Sequence, residues 1–172
     1  MELNNQCIYL IGFMGSGKTT VGLQLSEELG YSFKDLDQEI VKNTGITIPA
    51  IFENVGEAGF RKIEKKMLKE LNEPHCVIAT GGGVVENEGV LSWMNENGTS
   101  IYLKAPFEVM YKRIQDDRNR PLSNQGREAL SLRFENRKSM YTQAEVIIDT
   151  DGKSVDEVVV EIFKLLTKDR NL

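Results

Sequence analysis

The chain is poor in cysteine, histidine and proline: its 172 residues include two cysteines, one histidine and four prolines. Two cysteines cannot build a disulfide framework. Cys7 and Cys76 both lie in apolar runs that read as inner strands, so buried thiols in a reducing compartment are expected rather than a bridge. The lone His75 stands beside Pro74 where the third strand begins, at the edge of a parallel sheet away from where ligands gather, and reads as structural or exposed. Positive charge is not in excess either. The formal net charge of −5 argues against a general nucleic-acid binder. The polar stretch from Met1 to Gln6 lacks the basic-then-apolar layout of a signal peptide, and no apolar run reaches bilayer-spanning length. A cytoplasmic protein without membrane or nucleic-acid partners is the expectation. No repeat, low-complexity tract or Gly/Ser-rich linker divides the sequence. With 40% hydrophobic residues, it has material for one domain spanning 1–172, whereas two would be cramped.

Short β-like runs alternate with amphipathic helices, the pattern of an α/β fold with a parallel sheet covered on both faces. Strands are expected at Cys7–Ile11, Ser32–Asp35, Cys76–Ala79, Ser100–Leu103 and Val146–Ile148. The first helix begins near Lys18 and runs to Leu29, with Val21, Leu25 and Leu29 at helical spacing and Gly30 as its stop. A helix from about Gln38 ends at Gly45, and Thr47 caps a short one through Ile51 and Phe52. Phe60, Ile63, Met67, Leu68 and Leu71 form the apolar stripe of a helix over Glu57–Leu71. Trp93 reads as packing within a helix around Val90–Asn97. Pro106 opens the helix that follows the fourth strand. From Asp116 to Gly126 the chain turns polar, which marks a candidate mobile lid. A further helix runs from about Arg127 to Gln143, and Ser154 with Glu157 makes a capping box for the last one.

The strongest chemical signal is Gly12-Phe13-Met14-Gly15-Ser16-Gly17-Lys18-Thr19, which fits G-x-x-x-x-G-K-[ST] at every fixed position. A chance match in a chain of this length is on the order of one in a hundred or less, and the strand before and helix after it supply the right context. Glycines let backbone N–H groups turn inward around a phosphate chain, and the helix N-terminus adds partial positive charge. Lys18 is suited to the β- and γ-phosphates of ATP, and the Thr19 hydroxyl to Mg²⁺. A GTPase would need D-x-x-G after the third strand and an Asn-Lys-x-Asp guanine reader. The sequence has no Asn-Lys-x-Asp, and its Asp149-Thr150-Asp151-Gly152 follows the fifth strand. The third strand also ends without the Asp of a Walker B site, so another carboxylate must serve the metal.

Asp35-Leu36-Asp37 closes the second strand at the ligand edge. If the strand continues, carboxylates at i and i+2 point the same way, and one can hold the Mg²⁺ shell while the other orients or deprotonates an alcohol. A solvated turn is the plain alternative. Gly81-Gly82-Gly83 directly after the third strand allows close backbone approach to a ligand, or simply a flexible turn. Seven arginines lie between positions 61 and 137, at 61, 113, 118, 120, 127, 133 and 137. Any one of them reads most simply as a solvated helix face. Arg61 stands out because it follows Phe60 on the inner stripe, and Arg120 because it sits beside Pro121 within the polar loop.

Taken in order, these segments resemble the shikimate kinases over nearly the whole chain. The resemblance rests on Gly12 to Gly22, Asp35-Leu36-Asp37, Ile51-Phe52 leading to Gly56-Glu57, Phe60-Arg61-Lys62-Ile63-Glu64, Ala79-Thr80-Gly81-Gly82-Gly83, Arg120-Pro121-Leu122, and Arg137 before Tyr141. It implies phosphoryl transfer from ATP to the 3-hydroxyl of shikimate, giving ADP and 3-phosphoshikimate. It also implies a three-layer α/β/α fold with strand order 2-3-1-4-5, a substrate segment at about 36–64, a lid at about 116–126, and a monomer. By this resemblance Gly15, Ser16, Gly17, Lys18, Thr19 and Thr20 hold ATP, with Arg113 on the adenine and Arg120 reaching the phosphates from the lid. Thr19 and Asp35 support Mg²⁺, and Asp37 contacts the substrate hydroxyls. Arg61 and Arg137 hold the carboxylate, Gly81, Gly82 and Gly83 line the pocket, and Phe52 and Phe60 wall the ring. The stretch Asp151-Gly152-Lys153-Ser154 departs from the Arg and Pro that family members often place there against the adenine. A gluconate-type or nucleotide-type kinase, and a silent P-loop binding protein, share the fold and the phosphate loop.

Overall fold

The computed structural model describes residues 6–116 and 126–167. Five strands form one parallel sheet in the order β2-β3-β1-β4-β5. They are β1 (Cys7–Ile11), β2 (Ser32–Asp35), β3 (Cys76–Ala79), β4 (Gly98–Lys104) and β5 (Val146–Asp149). The helices are α1 (Lys18–Leu29), α2 (Leu36–Thr44), α3 (Ile48–Glu70), α4 (Val90–Asn97), α5 (Phe107–Asp116), α6 (Arg127–Tyr141) and α7 (Val155–Thr167), with a 3-10 turn at Val84–Glu86.

The apolar run of β1 explains why the sheet is covered on both sides. Successive side chains of a strand face opposite ways. Cys7, Tyr9 and Ile11 enter one core with Leu36, Phe60, Leu68, Val84, Phe134 and Tyr141. Ile8 and Leu10 enter the other with Val21, Leu25, Val77, Ile101, Val158 and Ile162. α1 and α7 therefore cover one face, and α2, α3, α4 and α6 the other. Gly22 lets α1 lie close to the sheet: a Cβ there would stand 2.6 Å from Phe33 Cε2.

The expected elements are present, with instructive differences at two boundaries. The two helices expected on either side of Gly56 run on as α3, broken at that glycine by its positive φ of 68°. Thr47 caps the first part by accepting from the Ala50 N–H at 3.4 Å. α2 begins at Leu36, two residues before the expected Gln38, because the Asp35 side chain accepts from the Gln38 N–H at 3.2 Å and caps the helix there. Cys7 and Cys76 are free, buried thiols. Trp93 packs on Tyr9, with ring centroids 6.0 Å apart, and His75 rests edge-on against Tyr31.

Candidate active site

The phosphate-type loop joins β1 to α1 at the carboxyl edge of the sheet. Gly15 and Gly17 take φ of +78° and +93°, which side chains rarely adopt. A Cβ on Gly15 would also stand 2.8 Å from the Met110 carbonyl oxygen. Gly17 is the N-cap of α1 and offers no side-chain cap, so the first helical N–H groups are not closed off by one. The buried Ser16 hydroxyl has no hydrogen-bond partner among the described residues. Lys18 Nζ donates to the carbonyls of Gly12 at 2.7 Å and Phe13 at 3.0 Å, so its ammonium is folded back over the loop. Arg113 comes from α5 to donate to the Gly15 carbonyl at 3.0 Å, which puts it beside the loop. Thr20 is exposed in the first turn of α1.

The Thr19 hydroxyl donates to Asp35 Oδ2 at 3.0 Å. These two residues bring hard oxygen donors together. Among the described residues no group of three or more His, Cys, Asp or Glu is placed to hold a metal. A pair of oxygens of this kind suits Mg²⁺, which keeps waters and phosphate oxygens in its shell.

Asp35 and Asp37 do not face one way along a continuing strand, as the sequence suggested. The helix start at Leu36 puts Asp37 in the first turn of α2. Asp35 turns to Thr19, whereas Asp37 turns to the glycine run. Each of the three glycines makes room for a different neighbour. A Cβ on Gly81 would stand 2.9 Å from Glu64 Oε1 and 3.2 Å from Asp37 Oδ1. One on Gly82 would stand 3.2 Å from the Met14 amide nitrogen, so this residue abuts the phosphate-type loop. One on Gly83 would fall 2.0 Å from Arg61 Nη2. The run thus joins the loop, the acidic pair and a guanidinium within three residues.

Around Arg61 the charges form a network. Its Nη1 donates to Glu64 Oε2 at 2.7 Å, and its Nη2 to Glu86 Oε2 at 3.1 Å. Arg137, from α6, donates through Nη2 to the same Glu86 oxygen at 2.8 Å. Asn87 donates to Glu64 Oε2 at 2.9 Å. Tyr141, one helical turn beyond Arg137, donates its hydroxyl to the Gly82 carbonyl at 2.5 Å and ties α6 to the glycine run. Beside this network Phe52 and Phe60 pack with ring centroids 4.5 Å apart, and the Arg61 guanidinium lies 5.4 Å from the Phe60 ring.

Burial pushes the Glu64 carboxyl up to about 7, against the pull of Arg61, with the Asp37 charge adding to the rise. Glu86 goes the other way. Partial burial disfavours its charge, but the hydrogen bond from Arg137 and the charges of Arg137, Arg61 and Arg133 outweigh that and hold it below the ordinary carboxylate range.

The structure therefore brings together Gly15 to Thr19, Asp35, Asp37, Phe52, Phe60, Arg61, Gly81 to Gly83, Arg113 and Arg137. Arg118, Arg120 and residues 117–125 of the expected lid lie outside the described residues. Sequence reasoning gave no role to Glu64, Glu86 or Asn87. Glu64 had a signal: it stands four residues after Phe60 and four before Leu68, a carboxylate inside an apolar stripe. Glu86 had none, because its partners come from α3 and α6.

Comparison with known proteins bears on the chain as a whole. The shikimate kinase family profile matches residues 14–167. The shikimate kinase of Persephonella marina is 46% identical over 157 residues, covering 91% of this chain and 96% of that protein. The solved shikimate kinase of Acinetobacter baumannii in complex with shikimate superposes with a TM-score of 0.91 at 36% identity, covering 98% and 97% of the two chains. That of Aquifex aeolicus superposes at 0.82 with 42% identity, covering 96% and 98%. With a phosphate-type loop, an acidic pair and an arginine cluster meeting at one glycine run, and with these relatives along more than nine-tenths of its length, the chain belongs to the shikimate kinase family.

Proposed function

We propose that this protein transfers the γ-phosphoryl group of ATP to the 3-hydroxyl of shikimate, giving 3-phosphoshikimate and ADP. The observation that carries the reading is the convergence of Arg61 and Arg137 on one carboxylate oxygen, beside Asp37 and joined to the phosphate-type loop by Gly81 to Gly83. A guanidinium pair suits an acceptor with a carboxylate, because the planar fork meets carboxylate oxygens directionally.

In this reading the backbone of Gly15 to Thr19, the Thr20 region and Lys18 hold the triphosphate, and Arg113 lies toward the adenine. Arg120, outside the described residues, is assigned to the phosphates on its sequence match alone. Thr19 and Asp35 would hold Mg²⁺, which when bound neutralises charge on the phosphate oxygens. Phe52, Phe60 and the glycine run wall the ring, while Arg61 and Arg137 fix the carboxylate at one end. Asp37 then faces the hydroxyl, orients it and takes its proton. The hydroxyl oxygen forms a bond to the γ-phosphorus as the bond from that phosphorus to the β–γ bridging oxygen breaks, and ADP leaves. Lys18 stabilises charge on the phosphoryl group in transit. Buried free thiols suit a cytoplasmic enzyme, and the protein works as a monomer on small molecules.

The test is an ADP-release assay with shikimate, gluconate and nucleoside monophosphates as acceptors. Turnover with shikimate alone is expected. Equal or better kcat/KM with gluconate or a nucleotide overturns the reading, and so does nucleotide binding without turnover on any acceptor.

A further inference from the structure

The guanidinium pair assigned to the acceptor's carboxylate already holds a carboxylate of the protein. Glu86 ends the 3-10 turn after the glycine run, and its Oε2 alone accepts from Arg61 Nη2 at 3.1 Å and Arg137 Nη2 at 2.8 Å. The arginine side chains are 15% and 5% exposed, whereas that of Glu86 is 32% exposed. Glu86 is thus the member of this trio most open to solvent, and Arg137 is almost wholly covered. The Nη2 of Arg137, a donor that an incoming carboxylate needs, is taken by Glu86 while the trio stays in place.

The donors also show that Glu86 satisfies the pair incompletely. The Nε–H groups of Arg61 and Arg137 are buried and have no acceptor among the described residues. Nε and Nη2 form the edge of a guanidinium that a carboxylate meets with two oxygens. Glu86 uses only the Nη2 half of that edge on each arginine. Adding a second carboxylate beside it would crowd two anions onto the same donors, an arrangement that like charges resist. Replacing it costs less.

We propose that Glu86 is an internal carboxylate that holds Arg61 and Arg137 in the free enzyme and swings out when the carboxylate of shikimate takes its place. The inference rests on the reading of the arginine pair given above. Whereas Arg61 also pairs with Glu64, Glu86 gives Arg137 the anion that it otherwise lacks among the described residues. It also lowers the apparent affinity for the acceptor, because only the fraction of molecules with the pair released can bind.

Calorimetric titration of the full chain with shikimate, in the unmodified protein, Glu86→Gln and Glu86→Ala, tests this. Glutamine keeps the size and one acceptor oxygen but carries no charge. If the Glu86 contact has the strength usual for a partly exposed ion pair, its loss lowers the Kd for shikimate by about 1.4- to fivefold. The Kd for ATP and the thermal melt serve as controls for the fold. A Kd for shikimate that is unchanged or raised in both variants overturns the proposal and makes Glu86 a fixed support of the arginines. A parallel titration with shikimate carboxamide separates the two ideas. If the unmodified protein binds the uncharged amide as tightly as shikimate, the arginine reading falls and the proposal with it. If it prefers the acid, but neither Glu86 variant binds the acid more tightly, only the proposal falls.

Discussion

Gly83→Ala should damage the acceptor site while leaving the fold intact. Gly83 has φ −97° and ψ 4°, which an alanine adopts without strain, so the backbone does not require glycine here. The space does. The new methyl would lie 2.0 Å from Arg61 Nη2, 2.6 Å from Cζ and 2.8 Å from Nη1. Ordinary contact needs about 3.5 Å between such atoms, so the guanidinium must move by about 1 Å or more. That displacement breaks the 2.7 Å pair with Glu64 and the 3.1 Å pair with Glu86, since neither tolerates such a shift. A misplacement of about 1 Å in a positioning group costs about 10²-fold in rate. The expected outcome is a fall of that order in kcat/KM for shikimate, with the KM for ATP within about threefold and the melt within a few degrees. A double-mutant cycle with Arg61→Lys locates the cause: the ammonium lacks the fork, so Gly83→Ala should add little to it. A kcat/KM within about threefold of the unmodified enzyme refutes the reasoning, because the contact that forces Arg61 to move would then be harmless. Equal losses from Gly83→Ala in the unmodified protein and in the Arg61→Lys variant would refute it in another way, by placing the damage elsewhere.

Lys18→Met should abolish turnover without unfolding the protein, and near-normal turnover with an intact melt would remove the phosphate role from this loop. Asp37→Asn keeps the shape but loses charge and basicity, so kcat should fall roughly 10²–10⁴-fold; a loss below about tenfold would show that Asp37 is not the hydroxyl's partner. Glu64 sits at about 7 against an ordinary 4.5, so the folded chain keeps a proton that the unfolded chain releases within that window. This group's contribution to stability is therefore lost as pH rises from 4.5 to about 7, and Glu64→Gln should gain on the unmodified protein by up to about 3 kcal/mol by about pH 8. Parallel curves of Tm against pH for the two proteins would show that Glu64 does not hold the proton.

What the sequence reveals depends on how local the determining physics is. The strands are legible because β1 is apolar at every position and its two faces feed two cores. The phosphate-type loop is legible because its positive-φ glycines and its lysine lie within a few consecutive residues. The glycine run is legible as a place of close approach, but not what approaches: Glu64 and Asp37 at Gly81, the loop at Gly82, Arg61 at Gly83. Asp35 and Asp37 show the limit most clearly. Alternation along a strand puts them on one side, but a hydrogen bond from Gln38 to Asp35 starts the helix one residue later and sends them to different tasks. That competition between strand continuation and helix capping is worth about 1 kcal/mol, too little for pattern reasoning to decide.

Glu86 lies beyond any local rule, and its placement fits the demands of a buried cationic pair. Arg61 and Arg137 come from separate helices, and two guanidiniums in such covered surroundings need anionic partners whether or not substrate is bound. Glu64 cannot meet the need alone, because burial and the neighbouring Asp37 hold it near the midpoint of its titration at neutral pH. Glu86 keeps its charge, since the arginines hold it low. Exchanging its carboxylate for that of shikimate leaves the number of buried charges unchanged, so the exchange avoids the desolvation penalty that an added anion would bring. A site built this way selects for charge on the acceptor: a neutral analogue that displaced Glu86 would leave Arg137 without the one anion it pairs with among the described residues, and Arg61 with only Glu64 and Glu57. The carboxamide titration measures that selection directly, and removing the Glu86 charge should shift the acid and the amide by different factors.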